Sequence, residues 1–172
     1  MGNKKALIVI DMQNDYLWEN RKPMFGYDTQ SLVSAVNTAV KSASDNGADV
    51  IYIRHILPDL PTNRLIIGFS IKGTRGAEIY SGVDILSDKV FDKCFSNAYT
   101  AKPFREHMQK QGYTEVSVCG LDLCGCVGKT ALGAVKTGAA VTLLGDCTAS
   151  RFSPDRVNRM KQLLTSKGVV IA

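Results

Sequence analysis

Apolar residues in this chain fall into short unbroken runs, separated by stretches in which they recur at helical spacing. Ala6-Leu7-Ile8-Val9-Ile10 carries no polar interruption, as expected of a strand covered on both faces. Over 31–46, Leu32, Val33, Val36 and Val40 mark one face of a helix, and Gly47 stands where its C-terminus belongs. The same reading predicts strands at 50–53, around Val90-Phe91, at 116–119, at 140–144 and at 168–171. Helices are predicted over about 100–111 (closed by Gly112), about 126–137 (ending at Gly138) and from Ser153-Pro154, with Ser as N-cap and Pro at the first helical position. Such βαβ alternation implies a parallel sheet between helical layers, joined by right-handed crossovers. The exception is 55–88, which holds four glycines and two prolines, is weakly periodic, and reads as a lid or pocket wall.

Composition narrows the class. With 172 residues, 45% apolar and 22% charged, the chain suits one domain over 1–172 and excludes a disordered tail, a collagen-like repeat or a disulfide scaffold. The formal charge is +5, but no run of five basic residues concentrates it, so a solvated surface is expected and no nucleic-acid partner. The apolar run after Met1–Lys5 stops at Asp11, too soon for a secretory signal, and Ala6 stands where an N-acylation motif wants Ser or Thr. No segment approaches the ~18 apolar residues that a membrane span needs. Five cysteines without an even-spaced framework are expected to be reduced thiols in a cytoplasmic protein.

In an open parallel sheet, ligands bind at the carboxyl edge of the strands. Three polar residues are predicted there: Asp11 ends the first strand, Lys93 follows the third by about two residues, and Cys126 opens the helix after the fourth. Singly, each has an ordinary explanation as a turn former, a surface lysine and a packing cysteine. Together they describe an activated thiol. A helix N-terminus and a neighbouring ammonium would favour thiolate, while a carboxylate would carry a proton between thiol and leaving amine. Backbone N–H groups at the strand-to-helix turn would hold a developing oxyanion.

The segments ALIVIDMQNDY (6–16), GTRGAEIYSGV (73–83), FDKCFSNAY (91–99) and CGLDLCGCVGKTALGAVKTGAAVTLLGDCTAS (119–150) together resemble the isochorismatase-like cysteine hydrolases, nearly end to end. That superfamily includes nicotinamidases and carbamoylsarcosine amidohydrolases. The resemblance implies a three-layer α/β/α sandwich around a mostly parallel, Rossmann-like six-stranded sheet, and an Asp-Lys-Cys triad. Asp11 matches the family's Asp, and Lys93 its lysine through Asn97-Ala98-Tyr99, with Lys89 the weaker competitor. Cys126 matches the nucleophile through Val127 and Thr130, whereas Cys124 breaks the pattern. The resemblance further implies a cis peptide at Leu121–Asp122, with the Asp122 and Cys126 N–H groups as oxyanion donors. It also implies a homo-oligomer acting on a small molecule, without an organic cofactor.

Departures from the family pattern limit what is expected. Nicotinamidases carry a metal site built on Asp-x-His after the second strand; here Arg54-His55-Ile56-Leu57 stands in that place, and the only other histidine, His107, is expected on a solvated helix face. No metal is therefore expected. Tyr16, Trp18 and His55 are candidate pocket residues, with packing or structural hydrogen bonding as the plain alternative. The retained Cys126 favours hydrolysis of a small amide or related C–N bond over an isochorismatase-type vinyl ether. Gly128-Lys129-Thr130 resembles the tail of a phosphate-binding loop, but Leu123 stands where the full motif needs Gly. A soft-metal or redox role for Cys119, Cys124 and Cys126 lacks a paired second motif, and a member that acts only through assembly would not need the trio.

Overall fold

A computed structural model describes residues 3–172. Met1 and Gly2, and with them the acylation reading of the chain's opening, lie outside the described residues. In chain order the main elements are β1 (Lys5–Ile10), a one-turn helix α1 (Asn14–Leu17), α2 (Thr29–Asp45), β2 (Asp49–His55), β3 (Val90–Lys93), α3 (Lys102–Gln111), β4 (Glu115–Gly120), α4 (Gly128–Val135), β5 (Ala140–Thr148), α5 (Pro154–Ser166) and β6 (Val170–Ile171). The sheet order is β3-β2-β1-β4-β5-β6 and every pairing is parallel. The expected mostly parallel six-stranded sandwich is thus wholly parallel. Among the described residues, no helix is long and apolar enough to cross a membrane.

The unbroken apolar run of β1 is explained by what lies on either side of it. Ala6, Ile8 and Ile10 face a core built with Phe104 and Met108 of α3, Ala131 and Ala134 of α4 and Leu164 of α5. Leu7 and Val9 face the opposite core, which contains Leu32, Val33, Val36 and Val40 of α2 together with Tyr16, Phe25 and Tyr27 from the segment before it. Both sides are dry because side chains alternate across the sheet and each side has its own cover. Helix α2 begins two residues before the predicted start. Asp28 caps it, its Oδ1 accepting from the Ser31 N–H at 3.1 Å.

Several boundaries depart from the sequence reading, two of them at the site. β3 extends to Lys93, which therefore ends the strand instead of following it. Cys126 does not open a regular helix. It sits in a wide turn over Leu123–Val127, closed by Val127 N–H donating to the Asp122 carbonyl at 3.1 Å, and α4 begins only at Gly128. β5 runs on to Thr148 through a register shift against β4, and the Ser153 side chain makes no cap bond to α5. His107, expected in solvent, is partly buried beside Phe91, with ring centroids 5.0 Å apart.

β1 and β4 are neighbours whose onward connections leave in opposite directions, so a crevice opens between their carboxyl ends. Gly120 lets the crevice form. It pairs with Ile10 at φ +105°, and an added Cβ would lie 2.2 Å from the Ile10 carbonyl oxygen. Gly120→Ala is expected to cost about 3 kcal/mol or more in urea unfolding at an unchanged m value; a loss under about 1 kcal/mol would show that the approach is not demanding.

Candidate active site

Three strand ends supply the polar centre of the crevice. Asp11 follows β1 at φ +53°, a left-handed conformation uncommon outside glycine, and its N–H donates to the Ile53 carbonyl at 2.9 Å. Lys93 is the last residue of β3, two strands away. Neighbouring strands lie about 4.8 Å apart, so only a long side chain can cross the end of β2 to reach Asp11. The Lys93 Nζ donates to Asp11 Oδ2 at 2.9 Å and to Cys126 Sγ at 3.2 Å, and it lies 3.4 Å from His55 Nδ1. Asp11 Oδ1 is buried without a hydrogen-bond partner. Asp11, Lys93 and Cys126 therefore meet, whereas Lys89 pairs with Asp49 at 3.2 Å, at the far end of β2.

Electrostatics revise one expectation. Burial and the Asp11 carboxylate push the Cys126 thiol up to about 12, and Lys93 offsets them only in part. That upward shift favours the thiol at rest over the ionised thiolate that a helix N-terminus and an ammonium implied. Burial opposes the Lys93 ammonium, but the Asp11 carboxylate and the Cys126 sulfur outweigh it and hold its pKa above the usual lysine value. Burial, then Lys93, lowers the His55 pKa, so its ring is neutral near pH 7 and Nδ1 accepts from the ammonium.

Polar side chains that the sequence reading did not single out hold this centre in place. Gln13 is fully buried; its Oε1 accepts from the His55 N–H at 2.7 Å, and its Nε2 donates to the carbonyls of His55 at 3.0 Å and Ala77 at 2.8 Å. Where β1 turns away at Asp11, this amide takes the place of a strand beside the end of β2. The same short segment fastens the loop over 55–88. Asn14 Nδ2 donates to the Arg75 carbonyl at 2.6 Å, Asp15 Oδ2 accepts from the Ser70 N–H at 2.7 Å, and Tyr16 OH bonds Ser70 Oγ at 2.6 Å. Gln13, Asn14, Asp15 and Tyr16 all lie in the segment 6–16 directly after Asp11, and that adjacency was the signal available for them.

Asp122 plays the corresponding part on the β4 side. The Leu121–Asp122 peptide is cis, as the resemblance implied. The Asp122 Oδ1 accepts from the Cys124 N–H at 2.9 Å and Ser150 Oγ at 2.8 Å; Oδ2 accepts from Tyr27 OH at 3.0 Å and the Arg151 N–H at 2.7 Å. This carboxylate ties the Cys126 turn to the loop between β5 and α5. Thr130 does the same for the loop after Lys93: it is fully buried, with Oγ1 accepting from the Ala98 N–H at 3.0 Å. Its hydroxyl is thus committed to the fold, which removes the phosphate-loop reading of 128–130.

A cavity of about 280 Å³ opens onto Cys126, Asp11 and His55. Tyr16, Phe25, Tyr27 and Phe69 form an aromatic wall, with Tyr16 and Phe25 edge to face at 4.8 Å. Tyr16 and His55 line the cavity as expected; Trp18 does not, and lies instead along surface grooves beside Glu19 and Tyr80. A larger cavity of about 660 Å³, between α2 and the β4–β5 face, has walls of Ala35, Ala39, Ala43 and Leu144 and is remote from Cys126.

The isochorismatase domain family matches residues 5–172. The chain belongs to the isochorismatase family. It is similar to an uncharacterised isochorismatase family protein of Bacillus subtilis, 29% identical over 149 residues, covering 84% of this chain and 77% of that protein. In fold it is similar to a pyrazinamidase of Pyrococcus horikoshii in complex with zinc, with TM-score 0.85 and 24% identity over 98% of each chain. It is likewise similar to an N-carbamoylsarcosine amidase of Thermoplasma acidophilum, with TM-score 0.80 and 23% identity over 98% of this chain and 95% of that one. The protein is an isochorismatase-family hydrolase.

This hydrolase does not carry the residues for a zinc site beside its cysteine. Arg54 pairs with Asp92 at 2.7 Å, the His55 ring accepts from an ammonium, and no group of three His, Cys, Asp or Glu able to hold a metal occurs among the described residues.

A raised native pKa means that folding favours the protonated thiol. Its contribution to stability is present below the ordinary cysteine value of about 8.5 and is lost as pH rises toward about 12. Alkylation of Cys126 by iodoacetamide, followed by peptide mapping, is accordingly expected to be slow at neutrality and to rise about tenfold per pH unit above it. A rate that plateaus below about pH 8 would show a resting thiolate and overturn this assignment.

Proposed function

We propose that this isochorismatase-family protein is a cysteine hydrolase that cleaves a small amide or related C–N bond through a thioester on Cys126. The supporting observation is the placement of Lys93 between Asp11 and Cys126, with Asp11 Oδ1 buried and unpartnered within the same centre. Because the thiol is favoured at rest, a base has to act during attack, and Asp11 is the carboxylate in reach. Asp11 accepts the thiol proton as Sγ bonds the substrate carbonyl carbon. The Asp122 and Cys126 N–H groups hold the oxygen that becomes negative. The proton then passes from Asp11 to the leaving nitrogen, the C–N bond breaks, and ammonia or an amine departs.

Water deprotonated by Asp11 attacks the thioester, releasing the acid and restoring the thiol. Lys93 stays charged throughout, orienting Asp11 and stabilising the sulfur while it carries negative charge. None of these steps calls for an organic cofactor. Scission of a C–N bond accords with the amidase and pyrazinamidase among the structural relatives and with the acyl chemistry open to a thiol. The cavity of about 280 Å³ sits at the small end of ligand sites, which favours a compact substrate over a peptide.

Against a panel of small primary amides, with ammonia release as the readout, Cys126→Ala is expected to lose at least about 10³-fold in kcat/KM while Cys124→Ala keeps most of it. Mass spectrometry of the acid-quenched wild type should find the acyl group on Cys126. Acylation of Cys124, or loss of activity in that variant alone, would reverse the nucleophile assignment.

A further inference from the structure

Lys129, Arg151, Phe152 and Arg156 line the same cavity beside the aromatic wall, with the Arg151 guanidinium 5.5 Å from the centroid of the Phe25 ring. The Phe152 ring lies under two guanidinium groups, Arg156 at 3.8 Å and Arg151 at 4.9 Å from its centroid. Among the described residues, none of these three cations has a carboxylate oxygen within salt-bridge distance. The nearby Asp122 carboxylate already accepts four hydrogen bonds, one of them from the backbone N–H of Arg151. That bond fixes the residue's position relative to the Cys126 turn. Two like charges gathered on one aromatic ring, with a third lining the same cavity, repel one another in part, and an anion entering that cavity would relieve the repulsion.

We infer that this part of the cavity is a subsite for a carboxylate carried by the substrate, which makes the substrate class a small amide bearing an anionic group a few bonds from the scissile carbonyl. The inference rests on the C–N hydrolase reading for the position of that carbonyl. The guanidinium fork suits a carboxylate, while the stacked Phe152 ring limits how far each arginine can wander. The flat body of the substrate then lies against Tyr16, Phe25 and Phe69. The sequence held a trace of this, since Arg151-Phe152 and Arg156 follow directly on the last quoted motif. The overall charge of +5 concealed it, because what matters is the local absence of acidic partners and not the total.

The test uses matched pairs that differ only in charge: oxamate, malonamate and succinamate against oxamide, malonamide and succinamide. Calorimetric titration of the Cys126→Ala protein is expected to show at least one monoamide binding about tenfold tighter than its diamide, with the preference weakening as salt is raised. In Arg151→Gln and in Arg156→Gln the ratio of monoamide to diamide affinity should fall about fivefold, while Arg156→Lys retains part of it. Equal affinity within every pair, no binding by any monoamide, or a ratio untouched by both glutamine variants would overturn the subsite. Ammonia release by the wild type keeps the two readings apart. Turnover without charge preference sinks the subsite alone; carboxylate preference with no turnover of any amide sinks the hydrolase reading alone.

Discussion

One buried ammonium holds the centre together. The side chains of Lys93 and Asp11 are 1% and 4% exposed, so neither charge is solvated and each depends on the other. Desolvating an ion costs several kcal/mol, and an isolated buried lysine would shed its proton before accepting that cost. Here the cost is offset by three neighbours delivered from three chain segments: Asp11 after β1, His55 at the end of β2 and Cys126 in the turn after β4. The arrangement exists only when those strands are in register, which couples the integrity of the site to that of the sheet.

Around this centre, support comes from side chains that bond to backbone. Gln13 replaces a missing strand beside His55, Thr130 pins the chain that follows Lys93, and Asp122 gathers four donors from three segments. Such bonds satisfy groups that would otherwise be buried without partners, and they fix the reacting atoms through the main chain. The cysteine turn in particular is set less by helix geometry than by the Asp122 carboxylate beneath it.

Legibility in the sequence followed the range of the interactions involved. The strand and helix order could be read because period and end signals are local, and β1 with Asp11 was clear because a buried parallel strand leaves an unbroken apolar run. Lys93 and Cys126 were found through motif spacing. Gln13 and the Asp122 side chain were missed because their partners lie far along the chain, at Ala77, Ser150 and Arg151. Phe25, Tyr27 and Phe69 escaped for the same reason, and Trp18 was misplaced because a one-turn helix does not reveal which way its end faces. The upward shift of the sulfur was not foreseen, since adjacency of a cation can be guessed from order, whereas the depth of burial that opposes it cannot.

The fastening of the 70–77 stretch to residues 13–16 bears on traffic into the crevice. Four hydrogen bonds join the two segments, and Gly76 packs so closely that an added Cβ would fall 2.0 Å from Asp15 Oδ1. A panel secured in this way is a fixed jamb and not a swinging door. The width of the opening on that side is therefore set by the same bonds that run back to the residues just after Asp11, and a substrate has to fit it as it stands.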